Sequence, residues 1–268
     1  QLAIEASRVK AGTIVQCGVH FMAETSKILN PEKTVLIPDS RAGCSLASSI
    51  TGADVRLLRE KFPGVPVVAY VNTSADVKAE SDIICTSRNA VDVVNSIPAE
   101  RPILFLPDIN LGNYVKKMSG RANMRIWQGA CIVHETFSER KIAELQIQHP
   151  DAELIAHPEC EATLLSKAKF IGSTSALLKH VIASPKQKFI VATESGILHQ
   201  MRKQAPQKTL IAAPPNQNCA CNDCPYMKLN TLEKLLAALR DETPELTLSE
   251  DLRKKAEAPL LRMLEWSQ

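Results

Sequence analysis

The stretch "KFPGVPVVAYVN" (61–72) decides the reading of this chain, because it recurs 87 residues later as "QHPDAELIAHPE" (148–159). At that offset Pro63 falls on Pro150, Tyr70 on His157 and Asn72 on Glu159. The register continues outward. "ESDIICTS" (80–87) meets "KAKFIGST" (167–174), and "RPILFLPD" (101–108) meets "KQKFIVATE" (186–194) within one residue of it. Cys44 and Cys131 share the spacing, each just after a strand-like run, and one more step of 87 lands at 218, the edge of "NCACNDCP" (218–225). Self-similarity at a fixed period marks a repeated structural unit.

Within each period, short β-branched runs alternate with helical stretches, the pattern of parallel sheets with crossover helices. The expected fold is therefore α/β: three pseudo-threefold-related αβα units with parallel sheets around a central cleft. The first unit spans 1–47 and is N-terminally incomplete, since its opening strand, helix and second strand would fall before residue 1. The second unit spans 48–134 and the third 135–225. In 226–268, "TLEKLLAALRDE" and "SEDLRKKAEAPLLRMLEW" read as amphipathic helices packing on the body. Ligands in open α/β sheets bind outside the carboxyl ends of strands, so equivalent loops of three units would converge on one cleft.

Composition bounds the function. With 45% hydrophobic and 23% charged residues the chain is expected to fold around a sizeable core. No apolar run approaches the ~20 residues of a membrane span, and the first residues show neither the basic flank nor the apolar block of a signal peptide, which points to the cytoplasm. A net charge of +3 from scattered Lys and Arg argues against nucleic acid and leaves anionic small molecules open. Eight cysteines without an export signal favour metal binding or catalysis over structural disulfides.

Three of those cysteines, Cys219, Cys221 and Cys224, crowd one short stretch. It reads as ligands for an iron–sulfur cluster or zinc, as a redox-active C-x-x-C pair (Cys221 and Cys224), or as small buried residues. No His or Cys follows to complete a site, so partners must come from afar; Cys44, Cys131 and one residue of this stretch make one thiolate per unit. Cys17, Cys85 and Cys160 have no repeat partner and read as small buried hydrophobes.

The strand ends carry the remaining candidates. Tyr70 and Asn72 in one unit stand where His157 and Glu159 stand in the next. In "HPE" the two side chains, two apart on an extended segment, point the same way; His can carry a proton near neutral pH and a desolvated Glu can act as a base. Ser87, Ser173 and Thr174 lie at strand-to-helix junctions, where hydroxyls cap helices and can also hold phosphate or carboxylate. Asp108 and Glu194 read as helix caps. Phe21 and Met22 lie where the first unit meets the cleft, an apolar pair compatible with plain core. His20, His149, His180 and His199 give no signal.

Taken together, "PDSRAGCSLA", "YVNTSADVKAESDIICTS", "LFLPDINLGNYV", "WQGACIVHE", "AHPECE", "IGSTSALL", "ATESGILHQM" and "CPYMKLNTLEKL" resemble the quinolinate synthase family of NAD biosynthesis over nearly the whole chain. The resemblance implies three α/β domains around an oxygen-sensitive 4Fe-4S cluster, held here by Cys44, Cys131 and Cys224. It implies condensation of iminoaspartate with dihydroxyacetone phosphate to quinolinate, losing phosphate and two waters. Three thiolates on four irons leave one iron open as a Lewis acid. Tyr70, Asn72, Ser87, His157, Glu159, Ser173 and Thr174 match the family's substrate pocket and Phe21 and Met22 its wall, with Glu159, oriented by His157, moving protons. The family's opening "H-x-Y-Q" and Ser-Asp-Ser segments have no counterpart after residue 1. Cys221 and Cys224 resemble a pair that can oxidise to a regulatory disulfide, and coupling to an L-aspartate oxidase is a further implication. A competing reading is a non-enzymatic zinc or iron–sulfur module that binds a small phosphorylated or carboxylate ligand; a periplasmic-type binding protein fares worse, since it would need an export signal.

Overall fold

The computed structural model describes residues 2–216 and 222–265. Among the described residues, ten strands form three parallel sheets: β1 (Thr13–Val15) and β2 (Thr34–Leu36); β3 (Val67–Tyr70), β4 (Ile83–Cys85), β5 (Ile103–Leu106) and β6 (Met124–Ile126); and β7 (Glu153–Ala156), β8 (Phe170–Ile171), β9 (Lys188–Ala192) and β10 (Thr209–Ala212). The second sheet runs β4-β3-β5-β6 and the third β8-β7-β9-β10, so both place their four strands in one order. Register repeats as well as order. Val68 pairs Ile83 and Ile155 pairs Phe170, both 15 residues apart in sequence. Thr13 pairs Thr34, Ile103 pairs Met124 and Lys188 pairs Thr209, all 21 apart. The short sheet β1-β2 is thus the counterpart of the third and fourth strands of the other two.

The central strands are buried on both faces, as helix-covered parallel sheets require. Every residue of Val67–Tyr70 and of Ile103–Leu106 is buried. Below this sheet, Val67, Ala69, Ile84, Leu104 and Leu106 pack with Ile28 of the first unit and with Ala256, Leu260 and Met263 of the long helix Glu250–Glu265. Above it, Val68, Tyr70, Ile103 and Phe105 pack with Val93, Val94, Leu111 and Val115, with Cys44 and Cys131 at the rim. The helix Leu232–Asp241 differs: Leu232, Leu236 and Leu239 along it are exposed.

Local chemistry starts and stops the helices. Thr51 and Asp54 form a reciprocal capping box at helix Gly52–Lys61. The Asp108 carboxylate accepts the Leu111 amide at the start of helix Ile109–Ser119, which ends on Gly120 at φ 68°. Two sequence expectations are revised. The "HPE" segment is a turn rather than extended, because Pro158 presets the bend and the Cys160 amide closes it on the His157 carbonyl at 3.0 Å. Cys17 is exposed, whereas Cys85 and Cys160 are buried as small hydrophobes.

Gly129 lies where backbones approach: it donates to the Pro107 carbonyl, and a β-carbon there would sit 2.7 Å from that oxygen and against the Ser49 hydroxyl. Gly129→Ala is expected to cost about 1–3 kcal/mol in urea unfolding by overpacking; unchanged stability would show that this contact yields.

Candidate active site

The residues at the strand ends meet around one buried carboxylate. Glu159 is 2% exposed. Its Oε1 accepts the Tyr70 hydroxyl at 2.7 Å, so the turn after β7 is tied to the end of β3. Its Oε2 lies 3.2 Å from His134 Nδ1. That contact has ion-pair distance, although the Nδ1 makes no well-aligned hydrogen bond. His134 comes from the short helix Ile132–Glu135, and its Nε2 meets the Thr193 hydroxyl at 3.2 Å. The His134 and His157 rings stack, centroids 5.0 Å apart.

His157 extends the network. Its Nδ1 accepts the Glu159 amide at 3.4 Å, which leaves Nε2 to carry the hydrogen and donate to Ser87 Oγ at 3.2 Å. The Ser87 hydroxyl lies beside the Tyr70 phenol, where it partly offsets the rise in the phenol's pKa. Ser87 is free for this because Asn89 Oδ1, accepting from the amide and hydroxyl of Thr86, closes the turn that the serine might have capped. Hydrogen bonds thus join His157 to Ser87 and Tyr70 to Glu159, with Ser87 and the Tyr70 phenol side by side.

Burial and neighbours set the charges. Burial alone would raise the Glu159 carboxyl, but His134, then His157 and the Tyr70 bond, outweigh it and hold the group below the usual carboxylate range. The desolvated-base expectation thus meets a carboxylate kept ionised by its donors. Burial lowers His157 to about 4, against Glu159, so its imidazole is neutral at physiological pH. Burial, reinforced by Glu159, pushes the Tyr70 phenol up. Asp108 is fully buried; burial and the Glu159 charge raise it to about 8, and its Oδ2 has no partner.

The cysteine loops converge on the same place. Ser45, beside Cys44, accepts the amide of Ile132, beside Cys131, at 3.2 Å. Asn222 of the third loop donates to the Val133 carbonyl and accepts the Thr136 hydroxyl at 3.1 Å. The Cys224 amide donates to Glu194 Oε1 at 3.4 Å, so Glu194 holds this loop as well as the Gly196 amide. Burial pushes the Cys44 thiol up to about 11, with the charges of Glu159 and Cys224 adding to it, and pushes Cys131 further, with Glu159 and Cys44 adding. Cys44 therefore lies within electrostatic reach of Cys131, Cys224 and Glu159, and Cys131 within reach of Cys44 and Glu159. Cys131, His134 and Glu159 bring their ligating atoms within 4.8 Å of one another. A half-buried set of thiols from three loops is chemistry suited to a polynuclear iron–sulfur group; binding must release the thiol protons.

Among the described residues, the other sequence candidates make no hydrogen bond to the side chains of this network. Asn72 is half-buried just past β3; Ser173 caps helix Thr174–Ala183 through the Ala176 amide; Thr174 is exposed. Phe21 is buried and Met22 half-buried on helix His20–Leu29. Cys219 and Cys221, and with them the Cys221–Cys224 pairing, lie outside the described residues. Sequence reasoning missed His134, whose only signal is its place three residues after Cys131 on one helical face. It also underrated Asp108, which is a cap and a buried acid at once.

An α/β fold whose strand-end loops gather thiols, imidazoles and buried carboxylates at one point is that of an enzyme or metal-binding protein with its chemistry at the sheet edges. The family model described as quinolinate synthetase A protein matches residues 1–265. Quinolinate synthase of Microcystis aeruginosa is 59% identical over 266 residues, covering 99% of this chain and 83% of that protein. Quinolinate synthase of Trichormus variabilis is 58% identical over 267 residues (100% and 82%), and that of a Cyanothece species 57% over 266 (99% and 82%). The chain belongs to the quinolinate synthetase A family.

The two shifted groups leave opposite marks on stability. His157, depressed from 6.5 to about 4, contributes stability that is lost as pH falls through that window. Asp108, raised from 3.8 to about 8, contributes stability that is lost as pH rises through its window. The two oppose each other below about pH 6.5; above it, of the two, Asp108 alone still titrates, with Lys78, lowered to about 8, beginning to oppose it near the upper end. The urea midpoint of the parent is expected to fall between about pH 6.5 and 8, and Asp108→Asn, which keeps the cap oxygen, to remove most of that slope. Identical slopes in both proteins would show that Asp108 is already ionised.

Proposed function

We propose that this chain catalyses the quinolinate synthase reaction, condensing iminoaspartate with dihydroxyacetone phosphate to quinolinate with loss of phosphate and two waters. The observation that carries the reading is the convergence of the Cys44, Cys131 and Cys224 loops beside the Glu159 network. Cys44, Cys131 and Cys224 would hold a 4Fe-4S cluster. When bound, it supplies a Lewis acid, at the iron without a thiolate, for the hydroxyl to be lost.

The chain's own residues do the proton work. Glu159 rests ionised because Tyr70 donates to it and His134 lies at ion-pair distance. A substrate oxygen that takes the Tyr70 hydroxyl frees Oε1 and raises its basicity, so Glu159 accepts a carbon-bound proton when substrate is in place. The proton so taken is returned by Glu159 to a departing hydroxyl, which leaves as water and restores the carboxylate, while the neutral His157 stays in place as an orienting group beside Glu159 and Ser87. Near-complete burial of Glu159 and His157 keeps bulk water out of this exchange. Asn72, Ser87, Ser173 and Thr174 hold the anionic ends of the substrates, and Phe21 and Met22 form the wall. The chain acts in NAD biosynthesis in the cytoplasm, functionally coupled to an L-aspartate oxidase. Among the described residues no helix is long and apolar enough to cross a membrane.

Glu159→Gln is expected to keep the iron and sulfide content of the anaerobic protein and its brown colour while lowering turnover by about 10²–10⁴. Retained turnover would discard Glu159 as the base. Serine at Cys44, Cys131 or Cys224 is expected to abolish the visible spectrum. A second reading has one observation in its favour: the clustering of Cys131, His134 and Glu159 within 4.8 Å suits a single zinc ion in a non-enzymatic module. Colourless protein with one zinc, lost in His134→Ala, would favour it; about four irons and four sulfides per chain would exclude it.

A further inference from the structure

Outside the network, the chain buries a second charged pair. Lys78 is fully buried and Glu24 is 7% exposed. Glu24 belongs to the helix that carries Phe21 and Met22; Lys78 belongs to helix Ala75–Ala79, just beyond Asn72. Both bond the 73–75 segment, Glu24 from the first unit and Lys78 from within the second. Glu24 Oε2 accepts the Ala75 amide at 3.0 Å, a cap supplied from another unit where Ser74 makes none, its hydroxyl going to Asp76. The Lys78 ammonium donates to the Thr73 carbonyl of its own segment and reaches the first unit by lying 5.6 Å over the Phe21 ring.

Such burial is costly: an ammonium out of water carries a penalty of several kcal/mol, and a well-packed apolar replacement of a buried pair is often neutral or stabilising. Burial pulls the Lys78 ammonium down to about 8, against the charges of Glu24, Asp76 and Cys44. Burial raises Glu24, against Lys78 and His20. A charge kept at that cost is better explained by the geometry it imposes than by stability.

We propose that Lys78 and Glu24 are positioning residues, a clamp between the first and second units that sets Phe21 and the Asn72–Thr73 segment against each other as two walls of the substrate site. The inference rests on the proposed function for what the walls hold. The clamp itself rests on the contacts alone. Thr73 is the hinge of the device: its amide bonds the Val71 carbonyl and its hydroxyl the Tyr70 carbonyl, so a shift of its own carbonyl moves the backbone on both sides of Asn72.

The test compares the parent, Lys78→Met and the double variant Lys78→Met/Glu24→Gln, which leaves no buried charge unpaired and keeps an oxygen to cap Ala75. All three are expected to melt within a few degrees of one another and to bind equal iron and sulfide. In both variants the amides of 71–75 are expected to exchange with deuterium roughly tenfold faster while β3 is unchanged, and KM for one substrate to rise roughly tenfold with kcat little altered. Exchange unchanged at 71–75 in the double variant would overturn the clamp, whatever the kinetics. Faster exchange with unchanged KM would overturn its role toward substrate. Should the parent form no quinolinate, the proposed function fails, and the exchange comparison still decides the clamp.

Discussion

One buried carboxylate governs how this molecule is put together. Glu159 lies at the end of the third sheet's first strand, yet its oxygens are claimed by Tyr70 from the second sheet and by His134 from the helix that follows Cys131. An ionised carboxylate without water is tolerated only where donors replace hydration. The third unit therefore cannot separate from the second without exposing or stranding that charge. The same donors that hold the units together determine when the group can accept a proton, so the packing constraint and the chemistry are one arrangement.

Around that charge the loops are laced in a chain. Ser45 to Ile132 ties the Cys44 loop to the Cys131 helix, and Asn222 ties the Cys131 helix to the Cys224 loop. Each bond is made by a residue one or two positions from a cysteine, leaving the thiols themselves directed by backbone that neighbours have fixed. Glu194 and Asp108, at the ends of equivalent strands, have diverged: Glu194 steadies the Cys224 backbone, while Asp108 keeps a free oxygen near Glu159. Repetition supplies equivalent positions, and side-chain differences among them make one site rather than three.

Much of this was legible in the sequence because the period of 87 residues preserves register, not just composition. Tyr70, Ser87, His157 and Glu159 were visible because each stands at a strand end duplicated in the next unit. What repetition cannot reveal is a residue without a counterpart. His134 has none, and a lone histidine on a short helix looks like packing. Lys78 and Glu24 sit in helical stretches whose charges read as solvated faces; only the stacking of one unit on another buries them. The "HPE" segment failed differently, since Pro158 bends what alternation suggests is straight, and the bend brings His157 Nδ1 onto the Glu159 amide.

Whether Tyr70 and His134 of the second unit keep Glu159 ionised can be measured directly, by carbon-13 NMR of protein labelled at the glutamate side-chain carboxyl carbon, with Glu159→Gln to assign the resonance. The account predicts a Glu159 carboxylate that stays ionised down to pH 4, where exposed glutamates are about half protonated, and that titrates higher in Tyr70→Phe. A Glu159 resonance already protonated at neutral pH would contradict it, and would mean that burial rather than the Tyr70 and His134 donors decides the state of the site.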